Sequence, residues 1–145
     1  MYILFREGCN SNFGILSLSM GPVGSEINDN GAHEYNASIS RDITQSAFEL
    51  ALVTATTKKD KSYDLKDYNC VDYAVDVYNA TRPAAEQLSV PNAKLQSGIV
   101  SVTIGRSPAS LYTKLKTMQT EGKPGIVLEP ATAPKTAPAK TGVCP

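Results

Sequence analysis

The sequence predicts an α+β protein in which helices pack on one side of an antiparallel sheet. Three amphipathic segments with helix-capping signals lie between short stretches of alternating apolar and polar residues. Strand signals come first along the chain, helices follow, and strand signals return late, an order that favours an antiparallel sheet over alternating βαβ units. The 145 residues suit a single domain.

Three helices are predicted over residues 45–56, 70–79 and 108–120, each from an apolar stripe that recurs with a period of 3.6 residues. Thr44, Asn69 and Ser107 are the expected N-caps, and Asp72 sits where a carboxylate meets the positive end of the second helix. Pro108 fits the first turn of the third helix. The positions expected to be buried are Ile43, Ala47, Phe48, Ala51, Leu52 and Ala55, then Val71, Ala74, Val75 and Tyr78, and finally Leu111, Tyr112, Leu115 and Met118.

Alternation predicts strands over residues 16–20, 34–39 and 100–104, with shorter apolar runs at 2–5 and 126–128 as further candidates. An α+β domain is predicted to span residues 1–124. Residues 125–145 are rich in Pro, Ala, Thr and Lys and are expected to form a tail.

Composition excludes several classes of protein. Lys and Arg together number 14, as do Asp and Glu, so the chain lacks the charge of a nucleic-acid binder. The balance is uneven, with 8 basic and 12 acidic residues in 1–105 against 6 and 2 in 106–145. No run approaches the ~20 apolar residues of a membrane span. One histidine and three cysteines are too few for a structural zinc site, and we expect no cofactor.

The residue best suited to chemistry is Cys70, which begins the second predicted helix directly after Asn69. Unpaired backbone N–H groups at a helix start stabilise an anion and therefore favour the thiolate, a common way to activate a nucleophile. Asp72 works in the opposite direction, because a nearby carboxylate disfavours a second negative charge. The alternative interpretation is that Cys70 is a small buried apolar residue.

A cysteine nucleophile needs a base, and His33 is the single histidine of the chain. It precedes the predicted strand at 34–39, which can lie beside the helix that carries Cys70. The alternative is an exposed histidine in a turn. An acidic or amide group would orient the ring, and spacing does not choose among the candidates Asp29, Asn30, Glu34, Asn36 and Asp67.

The run from Tyr63 to Ala74, Tyr-Asp-Leu-Lys-Asp-Tyr-Asn-Cys-Val-Asp-Tyr-Ala, resembles bacterial cysteine hydrolases of the permuted NlpC/P60 class of the papain superfamily. The lecithin-retinol-acyltransferase-like and deSUMOylating isopeptidase families are similar in layout. The resemblance covers roughly residues 12–120. It implies a permuted papain-like fold with Cys70 as nucleophile and with a histidine earlier in the chain, an order that His33 satisfies.

The substrate class that the resemblance implies is a peptide, isopeptide or peptidoglycan-like cell-wall peptide bond, with acyl transfer to or from lipid as a lesser alternative. We expect a monomer, and a secreted or periplasmic bacterial location is favoured over the cytoplasm, although the first residues lack a secretion signal. Cys9 and Cys144 lie near opposite ends and would be able to bridge in an oxidising compartment, but their pairing is open.

One position departs from the family pattern. Members carry Gly-His at the start of an early strand, where this chain has Gly14-Ile15. Either His33 supplies the base from a neighbouring strand, or the chain is a catalytically inactive binding module on the same fold. A structural surface protein, suggested by the tail alone, is the third hypothesis.

Overall fold

The computed structural model describes residues 2–5, 16–21, 24–26, 34–130 and 132–136, and every structural statement below refers to these residues. The helices are α1 (Gln45–Lys58), α2 (Cys70–Ala80) and α3 (Pro108–Thr120). The strands are β1 (Tyr2–Phe5), β2 (Leu16–Gly21), β3 (Gly24–Glu26), β4 (Glu34–Tyr35), β5 (Ala37–Ile39), β6 (Lys94–Ser97), β7 (Val100–Thr103), β8 (Ile126–Leu128) and β9 (Lys135–Thr136). The α+β class is confirmed.

Among the described residues, the strands pair antiparallel in four small sheets rather than in the one sheet that was expected. The first has the order β1-β2-β3, and the others are the pairs β4-β9, β5-β8 and β6-β7. A single-residue break at Asn36 divides the predicted strand 34–39 into β4 and β5. Strands of only two to six residues offer few backbone groups for pairing with a further strand.

The β5-β8 and β4-β9 pairs are two parts of one ladder with an excursion in one of its strands. Ala37 is opposite Leu128, the Glu129 N–H donates to the Asn36 carbonyl at 2.7 Å, and Tyr35 is then opposite Lys135. The described residues of this excursion include Pro130 and Pro134, neither of which can donate a ladder hydrogen bond. An ion pair of 2.7 Å between Glu129 and Lys135 closes the base of this excursion.

Residues 126–128 and 135–136, which the sequence analysis placed in the tail, therefore pair with β5 and β4. Gly125 makes the entry to β8 possible. Its φ of +68° lies in the left-handed region, and a Cβ there would collide with the Ser40 carbonyl. The division of the chain at residue 124 itself stays a prediction.

The three predicted N-caps are confirmed. The side chains of Thr44, Asn69 and Ser107 accept hydrogen bonds from the backbone at the starts of α1, α2 and α3. Helix α1 continues two residues past its predicted end. The predictions for the buried stripes of α1 and α3 hold at Ala51, Ala55 and Leu115.

Helix α2 is the central element of the fold and is buried on two sides. Tyr73 and Val77 pack on Ala51 and Ala55 of α1, where small side chains allow the helices to approach closely. Val71 and Val75 instead contact Leu88 and Val90, and the half-buried Leu111 and Met118 of α3 cover this second cluster. Helix α2 also lies beside β1 and β2, and α3 lies against β5 and β8. The position of Cys70 is therefore set by a helix that is held from several directions.

Two predictions about burial are wrong. Tyr112, expected in the stripe of α3, is exposed. The apolar face of the strand predicted over 100–104 is also largely exposed, because β7 pairs with β6 in a hairpin whose Leu95, Val100 and Val102 remain open to solvent. No helix in the described part of the chain combines the length and apolar character needed to cross a bilayer.

Candidate active site

The candidate site lies at the start of α2, where the chain changes from an extended to a helical backbone. Asn69 has φ −126° and ψ −173°, and Cys70 is the first helical residue. The Asn69 Oδ1 accepts the Val71 N–H at 2.8 Å, and the Asp72 Oδ2 accepts the Asn69 N–H at 3.0 Å. This reciprocal cap leaves a well-defined first turn with Cys70 inside it.

Asn69 is more than a helix cap, because its amide group joins three segments of the chain. Its side-chain Nδ2 donates to the Leu65 carbonyl at 3.1 Å and to the Arg106 carbonyl at 2.9 Å. The residue is only 3% exposed, so these bonds satisfy a polar group that water does not reach. The loop before α2, the first turn of α2 and the segment before α3 are thereby fixed relative to one another.

The loop that leads into the site is tightly folded. Asp64 and Tyr68 exchange both backbone hydrogen bonds, at 2.8 and 3.0 Å, and the Asp64 carboxylate accepts the N–H groups of Lys66 and Asp67. These N–H donors hold the pKa of Asp64 below its usual value. Gly105 packs directly on this loop, where a Cβ would stand 2.5 Å from the Leu65 carbonyl oxygen.

Cys70 is a free thiol that is neither fully buried nor fully exposed. It packs beside the apolar cluster that contains Val71 and Val75, and the Tyr63 hydroxyl lies close to its sulfur. Burial raises the pKa of Tyr63 above its ordinary value of 10.0, and the neighbouring Cys70 raises it further. The phenol therefore keeps its proton at neutral pH and is available as a hydrogen-bond donor near the sulfur.

Asp72 does not stand in the site as an unpaired charge. Its Oδ1 forms an ion pair of 3.1 Å with the Arg106 guanidinium, whose Nε donates to the Val90 carbonyl at 3.1 Å. Asp72 is expected from the sequence to oppose a thiolate at Cys70. In the structure this carboxylate is paired with a cation from 34 residues further along the chain.

A second polar group lies on the α1 side of α2. The Tyr68 hydroxyl donates to Asp76 at 3.0 Å, Lys58 pairs with Asp76 at 3.2 Å, and Lys61 lies 4.2 Å from the centre of the Tyr68 ring. Burial first, and then the charge of Asp76, raise the pKa of Tyr68 well above its ordinary value. Asp76 lies one turn after Asp72 on the same face of α2, so this group holds the loop against that face.

The structure brings three of the predicted site residues together and leaves the others apart or undescribed. Cys70, Asn69 and Asp72 form one first turn. Asn36 is exposed between β4 and β5, and its carbonyl accepts a bond from Glu129. His33 lies outside the described residues, as do Asp29, Asn30, Gly14, Ile15, Cys9 and Cys144, so the Cys70–His33 pairing and the terminal disulfide stay predictions.

Two residues of the site were missed by the sequence analysis. Tyr63 stood inside the recognised run, but a loop residue seven positions before Cys70 carries no periodicity that indicates where its hydroxyl points. Arg106 is distant from Cys70 along the chain, and no sequence pattern indicates that its side chain reaches the site. Among the described residues, no cluster of three or more His, Cys, Asp or Glu side chains is placed to hold a metal ion.

Comparison of the chain with models of known protein families, with curated proteins and with solved structures finds no match.

Proposed function

We propose that the chain is a cysteine hydrolase with a permuted papain-like layout, in which Cys70 attacks the carbonyl carbon of an amide or ester. The observation that carries the proposal is a partly accessible thiol in the first turn of a firmly capped helix, with the Tyr63 hydroxyl close to its sulfur. Helix-start N–H groups stabilise a thiolate, which is the reactive form of cysteine. The substrate class is a peptide, isopeptide or cell-wall peptide bond.

The chemistry requires a base as well as a nucleophile, and His33 is assigned that role. It takes the proton of Cys70, and the thiolate forms a C–S bond as the carbonyl becomes a tetrahedral oxyanion. The C–N bond then breaks, and His33 returns the proton to the departing amine. Water, activated by His33, finally cleaves the thioester and releases the acid together with the free thiol.

Tyr63 and the backbone at the start of α2 have a complementary role in this proposal. A phenol that keeps its proton at neutral pH donates a hydrogen bond first to the sulfur and then to the oxyanion. The backbone N–H of Cys70, which the reciprocal cap does not use, adds a further donor at the same end of the helix. Both are fixed in advance, by Asn69 and by the tight loop before it, which is what electrostatic stabilisation of a transition state needs.

The test is hydrolysis of fluorogenic peptide, isopeptide and muropeptide substrates by the wild type and by matched variants. Cys70→Ala and His33→Ala are expected to abolish turnover, and Tyr63→Phe is expected to lower kcat by about 10²- to 10³-fold, as for one oxyanion donor. Lys123→Ala is the control and should leave turnover unchanged, because Lys123 is exposed just after α3. Turnover that survives Cys70→Ala would refute the proposal.

A non-catalytic binding module on the same fold is the second candidate function. The observation that favours it is the exposed apolar face of the β6-β7 hairpin, because grouped exposed apolar side chains typically mark interaction surfaces. It predicts that the biological effect of the protein survives Cys70→Ala and is lost in Leu95→Ser/Val102→Ser. The hydrolase predicts the opposite pattern.

A further inference from the structure

Arg106 occupies a position from which it controls the charge at the start of α2. Its guanidinium reaches Asp72 at 3.1 Å and the Val90 carbonyl at 3.1 Å, and its own carbonyl accepts the Asn69 Nδ2 at 2.9 Å. One residue of the segment before α3 thus contacts both side chains of the reciprocal cap that surrounds Cys70.

The ion pair is sheltered enough to matter electrostatically. The Asp72 side chain is 13% exposed and that of Arg106 is 30% exposed, so solvent and salt screen the pair less than they screen a surface pair. A carboxylate in the same helical turn opposes a thiolate at Cys70 through like-charge repulsion. A cation held on that carboxylate removes much of the repulsion.

Other charged and titratable groups around α2 have neighbours of their own. On the loop before α2, Tyr63 lies close to the Cys70 sulfur, and Tyr68 donates to Asp76 while the charge of Asp72 also contributes to its raised pKa. From α1, Lys58 pairs with Asp76. Tyr2 is the single titratable residue in the sequences of β1 and β2, which also lie beside α2. Among the described side chains, Asp72 and Arg106 form the charged pair in contact with the cap at Cys70.

We propose that Arg106 is a positioning residue for the Cys70 nucleophile, acting through Asp72. By pairing with Asp72, it keeps that carboxylate on the Asn69 N–H, where it supports the cap, and cancels the charge that would otherwise disfavour the thiolate. The inference deepens the proposed function and rests on it, since that function needs a nucleophilic sulfur two positions before an acidic residue.

The experiment measures how fast iodoacetamide alkylates Cys70 between pH 5 and 10 in the folded full chain. Mass spectrometry of the peptide that contains Cys70 separates its reaction from those of Cys9 and Cys144. The variants are Arg106→Gln, Arg106→Lys, Asp72→Asn and the double variant Arg106→Gln/Asp72→Asn. Asp72→Asn is nearly isosteric and keeps an oxygen for the Asn69 N–H, so it tests charge with the cap in place.

The two halves of the pair are expected to act in opposite directions. Arg106→Gln should slow alkylation at pH 7 by about two- to five-fold and move the pH midpoint of the reaction upward, as loss of a partly exposed ion pair implies. Asp72→Asn should accelerate alkylation by a similar factor and move the midpoint downward. Arg106→Lys should stay close to the wild type, and the double variant should fall between the two single variants.

A merely structural role predicts a different pattern, because damage to the cap from either side would move the midpoint in the same direction. Shifts of equal sign in Arg106→Gln and Asp72→Asn, or no shift in Asp72→Asn, would overturn the proposal. Alkylation needs no substrate, so opposite shifts without hydrolysis refute the hydrolase and leave the role of Arg106 intact. Hydrolysis of a substrate together with unchanged pH midpoints of alkylation would support the hydrolase and refute the role of Arg106.

Discussion

Replacement of Asn69 by alanine should destabilise the protein far more than the loss of a helix cap alone. A cap contributes about 1 kcal/mol, and Asn69→Ala also removes the donors to the Leu65 and Arg106 carbonyls, each worth about 0.5–1.5 kcal/mol. Because the residue is 3% exposed, water cannot easily replace these bonds. We therefore expect a total loss of about 2–4 kcal/mol, a large share of the ~5–15 kcal/mol that stabilises a typical domain.

The chain offers a matched control for this prediction. Thr44 caps α1 through one bond to the Ala47 N–H at 3.2 Å, and it is exposed. Thr44→Ala should therefore cost about 1 kcal/mol, the ordinary value for a cap. Asn69→Ser should fall between the two, because serine caps a helix well but lacks the amide donor.

The assay is urea denaturation followed by circular dichroism at neutral pH, with the free energy of unfolding extrapolated to water. The informative quantity is how much more unfolding free energy Asn69→Ala loses than Thr44→Ala. This difference is expected to be about 1–3 kcal/mol, of which the bonds to the Leu65 and Arg106 carbonyls each contribute about half. Equal losses in the two variants would refute the idea that the amide of Asn69 ties the loop before α2 to the segment before α3.

Two further predictions concern the same region. Gly105→Ala should cost about 1–3 kcal/mol by overpacking, because the added Cβ would lie 2.5 Å from backbone oxygens that cannot rotate away; an unchanged thermal midpoint would contradict this contact. The protein should also lose stability as pH rises above 10. Burial raises the pKa values of Tyr68 and Tyr73 in the folded state, so these phenols ionise first in the unfolded chain and their contribution, complete below pH 10, declines above it. Absorbance at 295 nm and circular dichroism during an alkaline titration measure both events, and Tyr68→Phe should make the decline shallower; an equally steep decline in that variant would count against the mechanism.

The helices were predictable because their signals are local. A capping residue, an apolar stripe and a following break lie within one continuous segment of the chain. The caps observed at Thr44, Asn69 and Ser107 confirm the predicted helix starts. The packing role expected for Tyr73 agrees with its burial against α1, whereas the burial of Val77 on the same side was not predicted. A helix that is apolar over much of its circumference indicates burial on several sides, and Val71, Tyr73, Val75 and Val77 carried that signal.

Unlike the helices, the strands and the site depend on contacts between residues that are distant along the chain. β6 has a sequence with weak strand character and forms against β7 across the two-residue turn Gly98-Ile99, with Gly98 at φ +59°. The cap at Asn69 was readable from sequence, whereas its bonds to Leu65 and Arg106 depend on how separate segments pack. Alternation in residues 100–104 predicted a strand correctly, but it did not reveal that the apolar face would have no covering layer.

The ladder formed by β5 and β8 has a consequence for how the protein is made. Ile39 is paired with Ile126, so a nascent chain on the ribosome cannot complete this ladder until most of its length has been synthesised. Contacts between such distant residues close a long loop, and that entropic cost slows their formation relative to the local pairing in the β6-β7 hairpin. Truncation after residue 124 should leave β4 and β5 without partners, with two unpaired edges that favour aggregation. Recombinant fragments therefore need to extend through Thr136.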